Sequence, residues 1–377
     1  MPSSLSVYFH IPFCLRKCPY CDFYSVAGEQ EYIDTYVAAL ERQLVSPKAG
    51  GFQADETCSS VFFGGGTPSL MTPFQVGRLL DAVARRFGFT EDAEIALEAN
   101  PGTVTPEKLA GWRTAGVNRL SLGAQSFDDR HLAALGRIHS AADITQSVRW
   151  ARKAGFASLS LDIIFGLAGQ DLRDFGEQLR RALDFAPQHL SLYGLGIEEG
   201  TPFGALEAQG ACLTADEEAW ADMYLAAHEL LTKHGFVHYE ISNYALAGCE
   251  CRHNLRYWRR GTSLGIGAGA HGFNAQGYGA RYAVPADWRG YIRGETMPVE
   301  IESFGRRQAM AETLYLGLRT AEGVSCAEFE ERFGVTPGKE FARALELGGD
   351  HIETHDGRLR MRLSGWLVYD ALIERFL

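Results

Sequence analysis

Three cysteines near the N-terminus have the type and spacing of metal ligands. Cys14, Cys18 and Cys21 form a C-x₃-C-x₂-C pattern directly after an apolar run that predicts a strand. Three thiolates can ligate three irons of a [4Fe–4S] cluster and leave the fourth iron open. A structural zinc site is the alternative, and Cys251 or His253 could then supply its fourth ligand. The pattern therefore predicts a metal centre and favours the cluster.

Polar or glycine-rich sequence also follows other predicted strands. These runs are Gly64–Pro68, Glu98–Gly102, Gly123–Ser126 and Asp162–Gly166. In barrel-like α/β folds the chemistry lies at the carboxyl ends of the strands, so we expect these side chains to share one rim. Glycine lets the backbone approach a ligand closely, although a tight strand-to-helix turn would explain the first run equally well.

The elements that must position these residues alternate along the chain. The predicted strands are Val7–Ile11, Ser60–Phe63, Ile95–Ala99, Arg119–Gly123, Ser158–Phe165 and His189–Leu195. Apolar residues at helical spacing predict helices over Tyr32–Val45, Phe74–Phe87, Pro106–Ala115, Ala141–Ala154, Leu172–Phe185 and Ala215–His234. Short loops between such elements indicate parallel strands joined by crossover helices. Six units do not close an eight-unit barrel, so we predict an α/β fold with a partial (β/α)₆ barrel.

The pattern changes after the sixth unit. His238–Tyr244 could be a further strand, and the glycine-rich Gly261–Gly272 predicts a loop. From residue 302, three helical stretches precede a hairpin around Asp356-Gly357, which resembles a small winged-helix-like α+β unit. We expect a barrel with the metal and cofactor site over 1–236, an extension over 237–301 and this C-terminal unit over 302–377.

Composition limits the partners and the compartment. The 377 residues carry a formal net charge of −11, which argues against general nucleic-acid binding, since phosphate contacts need clustered Lys and Arg. We see neither a signal peptide nor an apolar stretch long enough to span a membrane, so we expect a cytoplasmic protein. In a reducing compartment, clustered cysteines indicate a metal site rather than disulfides.

Taken together, these motifs resemble the radical S-adenosylmethionine (SAM) superfamily, and within it the oxygen-independent coproporphyrinogen III oxidase-like group. The resemblance covers nearly the whole chain and is carried by Tyr8–Cys14, Gly64–Pro68, Leu97–Pro101, Gly123–Phe127, Leu135–His139 and Leu161–Leu167. It implies a [4Fe–4S] cluster whose open iron binds SAM. One electron from the cluster can then cleave the sulfonium of SAM and start radical chemistry.

The resemblance also implies roles for single residues. Gly65, Gly66 and Thr67 are expected to contact SAM, and Glu98 could accept hydrogen bonds from its ribose hydroxyls or cap the next helix. Other positions that match SAM contacts of the family are Gln125, Arg137 and Asp162. The alternative for the last two is an ion pair that braces the barrel rim. Tyr8 and Tyr20 flank the cluster and could shield it from solvent.

Two features indicate which member of the group this is. The oxidases carry a further cysteine two residues after the third ligand, where this chain has Phe23. The run from His253 to Trp258 has the pattern H-N-x-x-Y-W and resembles the HemW haem chaperones. A histidine can ligate haem iron and aromatic side chains can pack on a porphyrin, although His253 could equally make loop hydrogen bonds. His271 is a second, weaker candidate ligand.

The sequence thus favours a haem chaperone that carries a SAM-binding [4Fe–4S] cluster and transfers haem to acceptor haem proteins. An electron donor for the cluster is the other expected partner. No residue is assigned a catalytic role, and whether radical chemistry belongs to the function stays open. The alternatives are oxidative decarboxylation of coproporphyrinogen III, as in the related oxidases, and radical chemistry on another tetrapyrrole.

Overall fold

Six parallel strands form the centre of one large sheet in the computed structural model, which describes residues 4–46 and 56–376. They are β1 Ser4–Ile11, β2 Thr57–Gly65, β3 Phe89–Ala99, β4 Arg119–Gln125, β5 Ser158–Phe165 and β6 His189–Gly194. Each pairs in parallel with the next strand in chain order. This confirms the predicted partial (β/α)₆ barrel.

Helices cover the outer face of these strands. They are α1 Ile33–Val45, α2 Pro73–Phe87, α3 Pro106–Ala115, α4 Asp129–Ala134, α5 Ala141–Lys153, α6 Leu172–Asp184, α7 Pro202–Glu207 and α8 Glu217–Lys233. Local sequence explains where several begin: Thr72 and Ser140 start capping boxes, and Thr105 caps α3 ahead of a proline in its first turn. Most predicted bounds therefore differ from the structure by only one or two residues.

The barrel strands alternate strictly between two environments. Alternate residues such as Leu5, Val7 and Phe9 are fully buried and belong to the apolar core. The residues between them face the barrel axis and are often polar, as Ser160 and Asp162 show by their mutual hydrogen bond. Because side chains of a strand alternate between its faces, this period separates the core from a polar barrel interior.

Additional strands extend the sheet at both ends. Beyond β6 lie the antiparallel strands β7 Val237–Glu240 and β8 Asn243–Ala245. Beyond β1 lie β9 Ser263–Ile266, β10 His271–Asn274, β11 Ala280–Ala283 and β12 Val299–Ser303. The single strand considered for 238–244 is thus two short strands that meet at a tight turn.

The predicted loop over Gly261–Gly272 is wrong, because it contains β9. This strand pairs in parallel with β1, from Ser6 opposite Ser263 to Phe9 opposite Ile266. A Cβ atom on Gly265 would lie 2.2 Å from the carbonyl oxygen of His271. The glycine there serves close packing between strands, a role that composition alone does not distinguish from loop flexibility.

The C-terminal unit combines short helices with a three-stranded sheet. After α9 Arg252–Trp258 and α10 Trp288–Arg293, its helices are α11 Arg306–Gly317, α12 Cys326–Phe333, α13 Pro337–Glu340, α14 Ala342–Gly348, α15 Leu363–Trp366 and α16 Tyr369–Ile373. Its strands are β13 Val324–Ser325, β14 Ile352–His355 and β15 Arg358–Met361. The predicted hairpin is present, whereas the third predicted helical stretch is divided into α13 and α14. Within the described ranges, no helix has the length and apolarity needed to cross a bilayer.

Candidate functional site

A cavity of about 460 Å³ opens at the carboxyl ends of the barrel strands. Its walls come from the loop after β1, the loop after β2 and the ends of β3 to β6. Eleven of the predicted site residues line it: Cys14, Cys18, Tyr20, Cys21, Gly65, Gly66, Thr67, Glu98, Gln125, Arg137 and Asp162. Tyr8 and His253 do not. The rim expected from the strand order therefore exists and gathers most of the candidate residues.

The cysteine loop is held by backbone hydrogen bonds. Phe13–Cys14 pairs in parallel with Val26–Ala27, and the amide of Cys21 donates to the carbonyl of Cys18 at 3.2 Å. The Oγ1 of Thr67 donates to the Sγ of Cys14 at 3.4 Å. Burial raises the pKa of the Cys14 and Cys21 thiols, so only a strong positive centre such as a metal would hold both as thiolates at neutral pH.

The separation of the three sulfur atoms bears on which metal they could hold. Within the described ranges, the one group whose ligand atoms all lie within 4.8 Å of one another is Asp128, His131 and Asp174, so the three cysteine sulfurs are spread more widely. Three sulfurs on one zinc ion at about 2.3 Å each would lie closer together than this limit. A multi-iron cluster, in which each thiolate binds a different iron, accommodates the wider spacing.

The zinc alternative also loses its proposed fourth ligands. The thiol of Cys251 donates to Glu94, in the middle of β3, at 3.7 Å. The amide of His253 also donates to Glu94, at 2.9 Å. Both residues lie toward the amino ends of the strands, whereas the three cysteines lie at the carboxyl ends. Neither can complete a site with Cys14, Cys18 and Cys21 in this fold.

The glycine loop after β2 packs directly against the cysteine loop. A Cβ atom on Gly66 would lie 2.9 Å from the Sγ of Cys14 and 3.0 Å from the carbonyl of Ile11. Gly65 has φ +109°, and a Cβ there would meet the imidazole of His10 at 2.8 Å. Only glycine fits at both positions, and the loop therefore presents bare backbone to the cavity.

Two carboxylates, on β3 and β5, lie deep in the cavity. Burial, together with the charge of Asp162, raises the pKa of Glu98 to about 8. Burial also raises the pKa of Asp162, although the hydroxyls of Ser191, Ser121 and Ser160 bond to its carboxylate. A carboxyl group of this kind becomes a stable anion near neutral pH only when a bound ligand donates hydrogen bonds to it. The hydroxyls of a ribose would supply such bonds.

Gln125 and Arg137 line the opposite wall with incomplete hydrogen bonding. The Nη1 of Arg137 donates to the Sγ of Cys18 at 3.4 Å and its Nη2 to the carbonyl of Gly123 at 3.2 Å. Within the described ranges, its Nε and the Oε1 of Gln125 are buried and unpartnered. The alternative of an Arg137–Asp162 ion pair is wrong, because among the described residues Arg137 bonds to Cys18 and Gly123, and Asp162 bonds to serine hydroxyls instead. Both residues line the cavity, and side chains with unmade hydrogen bonds there fit a polar ligand such as SAM.

The backbone of Gln125 is also unusual. Its φ is +65°, in the left-handed region that side chains other than glycine rarely adopt. Such a conformation costs of order 1–3 kcal/mol and tends to occur at ligand sites. The strand β4 is irregular at this point, because its register against β5 shifts between Leu122 and Gln125. The shift turns the Gln125 side chain toward the cavity.

The two flanking tyrosines differ in position. Tyr20 lines the cavity and packs against Phe203 of α7, with ring centroids 6.3 Å apart. Tyr8 lies inside the barrel, below the glycine loop, and its hydroxyl is 3.2 Å from the Nδ1 of His10. Tyr8 can therefore support the loop from beneath, while Tyr20 shields the cysteines from solvent.

The H-N-x-x-Y-W segment forms helix α9 at the other end of the barrel. The Nδ1 of His253 lies 3.0 Å from the Oγ of Ser60, and its Nε2 lies 2.8 Å from the hydroxyl of Tyr257. Burial lowers the pKa of His253 to about 3. Trp258 stacks under the guanidinium of Arg319 at 4.3 Å, between the barrel and the C-terminal unit. The motif thus closes the barrel base, and His253 has no free ring nitrogen.

One cavity residue was missed in the sequence, and the second candidate haem ligand, His271, was named without a position in the fold. Tyr193 lines the cavity at the end of β6 and is 43% exposed, and the period of two from His189 and Ser191 could have placed it there. His271 opens β10 and is exposed. It lies at the same end of the sheet as the cavity, because β9 runs parallel to β1, but it does not line the cavity itself. The missed strand β9 is the reason its position could not be anticipated.

Comparison with known proteins agrees with this architecture. Residues 8–182 match the family described as Radical SAM superfamily, and residues 305–368 match the HemN C-terminal domain. "Heme chaperone HemW" of Haemophilus influenzae is 40% identical over 385 residues, covering 99% of this chain and 98% of that protein. The protein of the same name from Escherichia coli is 43% identical over 270 residues, covering 71% and 70%.

A eukaryotic relative and a solved structure extend the comparison. The mitochondrial "Radical S-adenosyl methionine domain-containing protein 1" of Bos taurus is 37% identical over 391 residues, covering 98% of this chain and 86% of that protein. The structure of coproporphyrinogen III oxidase HemN from Escherichia coli, described as a radical SAM enzyme, matches with a TM-score of 0.84. It covers 100% of this chain and 90% of that one at 23% identity, which shows a shared fold.

Proposed function

The chain belongs to the radical SAM superfamily and, within it, to the HemW haem chaperone family, and from this premise we propose that it binds haem and transfers it to acceptor haem proteins. Similarity over almost the full length of a curated haem chaperone carries this proposal. Phe23 supports it, since the related oxidases resemble this chain but have cysteine at that position. Here the Phe23 side chain is 65% exposed at the cavity.

The proposed cofactors are a [4Fe–4S] cluster on Cys14, Cys18 and Cys21 and one SAM beside it. The wide spacing of the three sulfurs supports the cluster. The bare backbone of Gly65 and Gly66, together with the deep carboxyl of Glu98, supports a ligand with an amino-acid end and a ribose. When bound, the cluster would supply the electron for radical chemistry on SAM, while the surrounding side chains orient SAM and exclude water.

For haem, His271 is the better candidate iron ligand. Its side chain is exposed, and in the described part of the chain its hydrogen bonds are those of the backbone, where β10 pairs with β11. Gly269, two residues before it, packs against Tyr24 of the cysteine loop, since a Cβ there would lie 2.8 Å from the Tyr24 ring. His271 is therefore free to bind iron beside the proposed cluster.

His253 is a poorer candidate for geometric reasons. Haem ligation would have to break its hydrogen bond to Ser60 or to Tyr257 and expose the barrel base. The exposed aromatic surface that a porphyrin needs lies instead at the cavity mouth, where Phe23 and Tyr193 are 65% and 43% exposed. We therefore infer that haem docks at this mouth, with His271 as its axial ligand.

The remaining proposals concern the cellular location, the partners and the domain limits. No disulfide joins any of the eight cysteines, all of which lie in the described ranges, and this supports a reducing compartment such as the cytoplasm. The partners proposed are acceptor haem proteins and an electron donor for the cluster. The three domains keep their proposed limits at 1–236, 237–301 and 302–377, and the matched C-terminal family segment begins at 305, close to the second boundary.

The test is a haem titration of anaerobically reconstituted protein, followed by its Soret absorbance. We expect stoichiometric binding, transfer to an apo haem protein, and no decarboxylation of added coproporphyrinogen III. Decarboxylation with matching release of 5′-deoxyadenosine, without haem binding, would establish the oxidase instead.

Three variants locate the haem. His271→Ala should weaken binding and shift the Soret band, because it removes the axial ligand. His355→Ala is the matched control, since this histidine is also exposed but lies in the C-terminal hairpin. Loss of haem in His253→Ala with unchanged folding, and full binding in His271→Ala, would return the ligand role to His253.

A further inference from the structure

A chain of hydrogen bonds runs through the barrel interior from the start of α9 to Asp162. The amide of Cys251 lies 3.2 Å from the Tyr239 hydroxyl, which lies 2.8 Å from the Nε2 of His189. The Nδ1 of His189 lies 2.7 Å from the Oγ of Ser160, which lies 3.3 Å from the Oδ1 of Asp162. Four side chains from β5, β6 and β7 thus join the base of the barrel to the cavity.

The direction of these bonds follows from the donors available. The Cys251 amide can only donate, so the Tyr239 oxygen accepts from it. Within the described part of the chain, the Tyr239 hydroxyl has one acceptor for its own proton, the Nε2 of His189. Because burial lowers the pKa of His189 well below its ordinary value, the imidazole is neutral and carries its one proton on Nδ1.

The last two hydrogen bonds, to Ser160 and to the Asp162 carboxylate, have the same donor direction. A protonated Nδ1 on His189 donates to the oxygen of Ser160, and the Ser160 hydroxyl is left to donate to Asp162. Every bond in the chain therefore points its donor toward the cavity. Reversal of any one bond would turn the Ser160 proton away from the carboxylate.

The chain is enclosed along its length. His189, Ser160 and Tyr239 are 2%, 1% and 6% exposed, so water does not compete for their hydrogen bonds. Polar pairs excluded from water have a strongly preferred geometry, because an unmade bond there is costly. The arrangement is therefore fixed before any ligand enters the cavity.

Other groups also act on Asp162. The hydroxyls of Ser121 and Ser191 donate to it from β4 and β6. The charged and titratable groups facing it are the carboxyl of Glu98 on β3, the guanidinium of Arg119 on β4, His189 and the phenol of Tyr193 on β6. Of these groups, only His189 belongs to the chain of hydrogen bonds. Its tautomer is set by Tyr239, which lies outside the six central strands.

We propose that His189 and Tyr239 are positioning residues for SAM: acting through Ser160, they hold the Asp162 carboxylate in the orientation and charge state that the cofactor needs. This rests on the proposed role of the cavity as the SAM site. Tyr239 selects the His189 tautomer, and His189 selects the direction of the Ser160 hydroxyl. Because the chain begins at the backbone amide of Cys251, the residue immediately before α9, the helix at the barrel base is linked to the cofactor pocket.

The experiment compares two tyrosine-to-phenylalanine variants of the reconstituted full-length protein. Tyr239→Phe removes the hydroxyl that sets the tautomer of His189. Both tautomers then become accessible, and the Ser160 hydroxyl donates to Asp162 in only one of them. Tyr244→Phe is the matched control, since Tyr244 is equally enclosed in the adjacent β8 but its hydroxyl is unpartnered among the described residues. SAM affinity is measured by equilibrium dialysis with labelled SAM between pH 6 and 9.

We expect SAM to bind Tyr239→Phe about two- to tenfold more weakly, as for the loss of one net hydrogen bond. Tyr244→Phe should match the wild type. Equal effects in the two variants would overturn the proposal.

A second pair of variants covers the case in which Tyr239→Phe does not fold. His189→Asn keeps a donor near the Nδ1 position and should retain most SAM affinity, whereas His189→Leu should lose as much as Tyr239→Phe. Equal affinities for these two variants would also overturn the positioning role. A wild-type protein that binds no SAM at all would instead refute the proposed cofactor, which separates the two failures.

Discussion

The Nη1 atom of Arg137 lies 3.4 Å from the Sγ atom of Cys18, so one guanidinium connects the cysteine loop with the far wall of the cavity. Arg137 is anchored there by its second bond, to the carbonyl of Gly123. A fixed positive charge beside a thiolate ligand favours the reduced form of a cluster. The electrostatics of the proposed cluster and of the SAM pocket therefore depend on one residue.

We predict that Arg137→Gln lowers the reduction potential of the reconstituted cluster by on the order of tens of millivolts, because it removes this charge. Redox titration followed by electron paramagnetic resonance would measure the change. Arg130→Gln is the control, since it removes a guanidinium that pairs with Asp128 and is 83% exposed. Equal shifts in both variants would show that only net charge matters.

Glu98 should make the stability of the SAM-free protein depend on pH. Its pKa is about 8 in the folded state against an ordinary value of 4.5, so the folded protein keeps a proton that the unfolded chain releases. The free energy of unfolding should therefore fall as the pH rises from about 5 to 8. Urea unfolding at several pH values would measure this, and Glu98→Gln should lack that part of the decline.

The same group should control the affinity for SAM. Only the carboxylate form of Glu98 can accept hydrogen bonds from both ribose hydroxyls, so wild-type affinity should increase between about pH 7 and 9. Glu98→Gln should bind more weakly and show less increase. A variant with the same pH profile as the wild type would assign that titration to another group.

Gly66→Ala should prevent cluster assembly. The added Cβ atom would meet the Sγ of Cys14 and the backbone of both Phe13 and Ile11 within about 3 Å. Overpacking of this kind costs about 1–3 kcal/mol and would displace the thiol. Iron analysis after reconstitution should show a clear loss.

A glycine in α2 provides the matched control for that substitution. Gly77→Ala should keep the full iron content, because the nearest atom to its added Cβ is that of Ala115 at 3.9 Å. It should also stabilise the protein by about 0.5–1 kcal/mol through helix propensity. Iron loss in both variants would mean that the reconstitution, not the loop geometry, is limiting.

His253→Ala should destabilise the protein without reducing haem affinity. It leaves the buried hydroxyls of Ser60 and Tyr257 without their partner, at a cost of about 1–3 kcal/mol. Thermal unfolding would measure the loss. A variant that is as stable as the wild type would show that the base of the barrel does not depend on this ring.

The barrel was predictable because its strands and helices carry clear periodicity, and the cavity because the motifs follow the strands. The positions of His253 and His271 were not. The sequence shows His253 within an attractive motif, but its burial depends on contacts with β2, which is distant in the chain. The position of His271 depends on β9. This strand lies in a glycine-rich segment, and its pairing with β1, rather than local propensity, makes it a strand.

The pairing of β1 with β9 has a consequence for how the protein is made. The strand that leads into the cysteine loop is synthesised first, yet one of its two neighbours is formed by residues 263–266. Until these have left the ribosome, β1 has an open edge, and closing so long a loop is entropically slow. Iron loading should therefore follow completion of nearly the whole chain. Nascent fragments that end before β9 should carry the ligand motif but hold the cluster poorly and depend on chaperones to avoid aggregation.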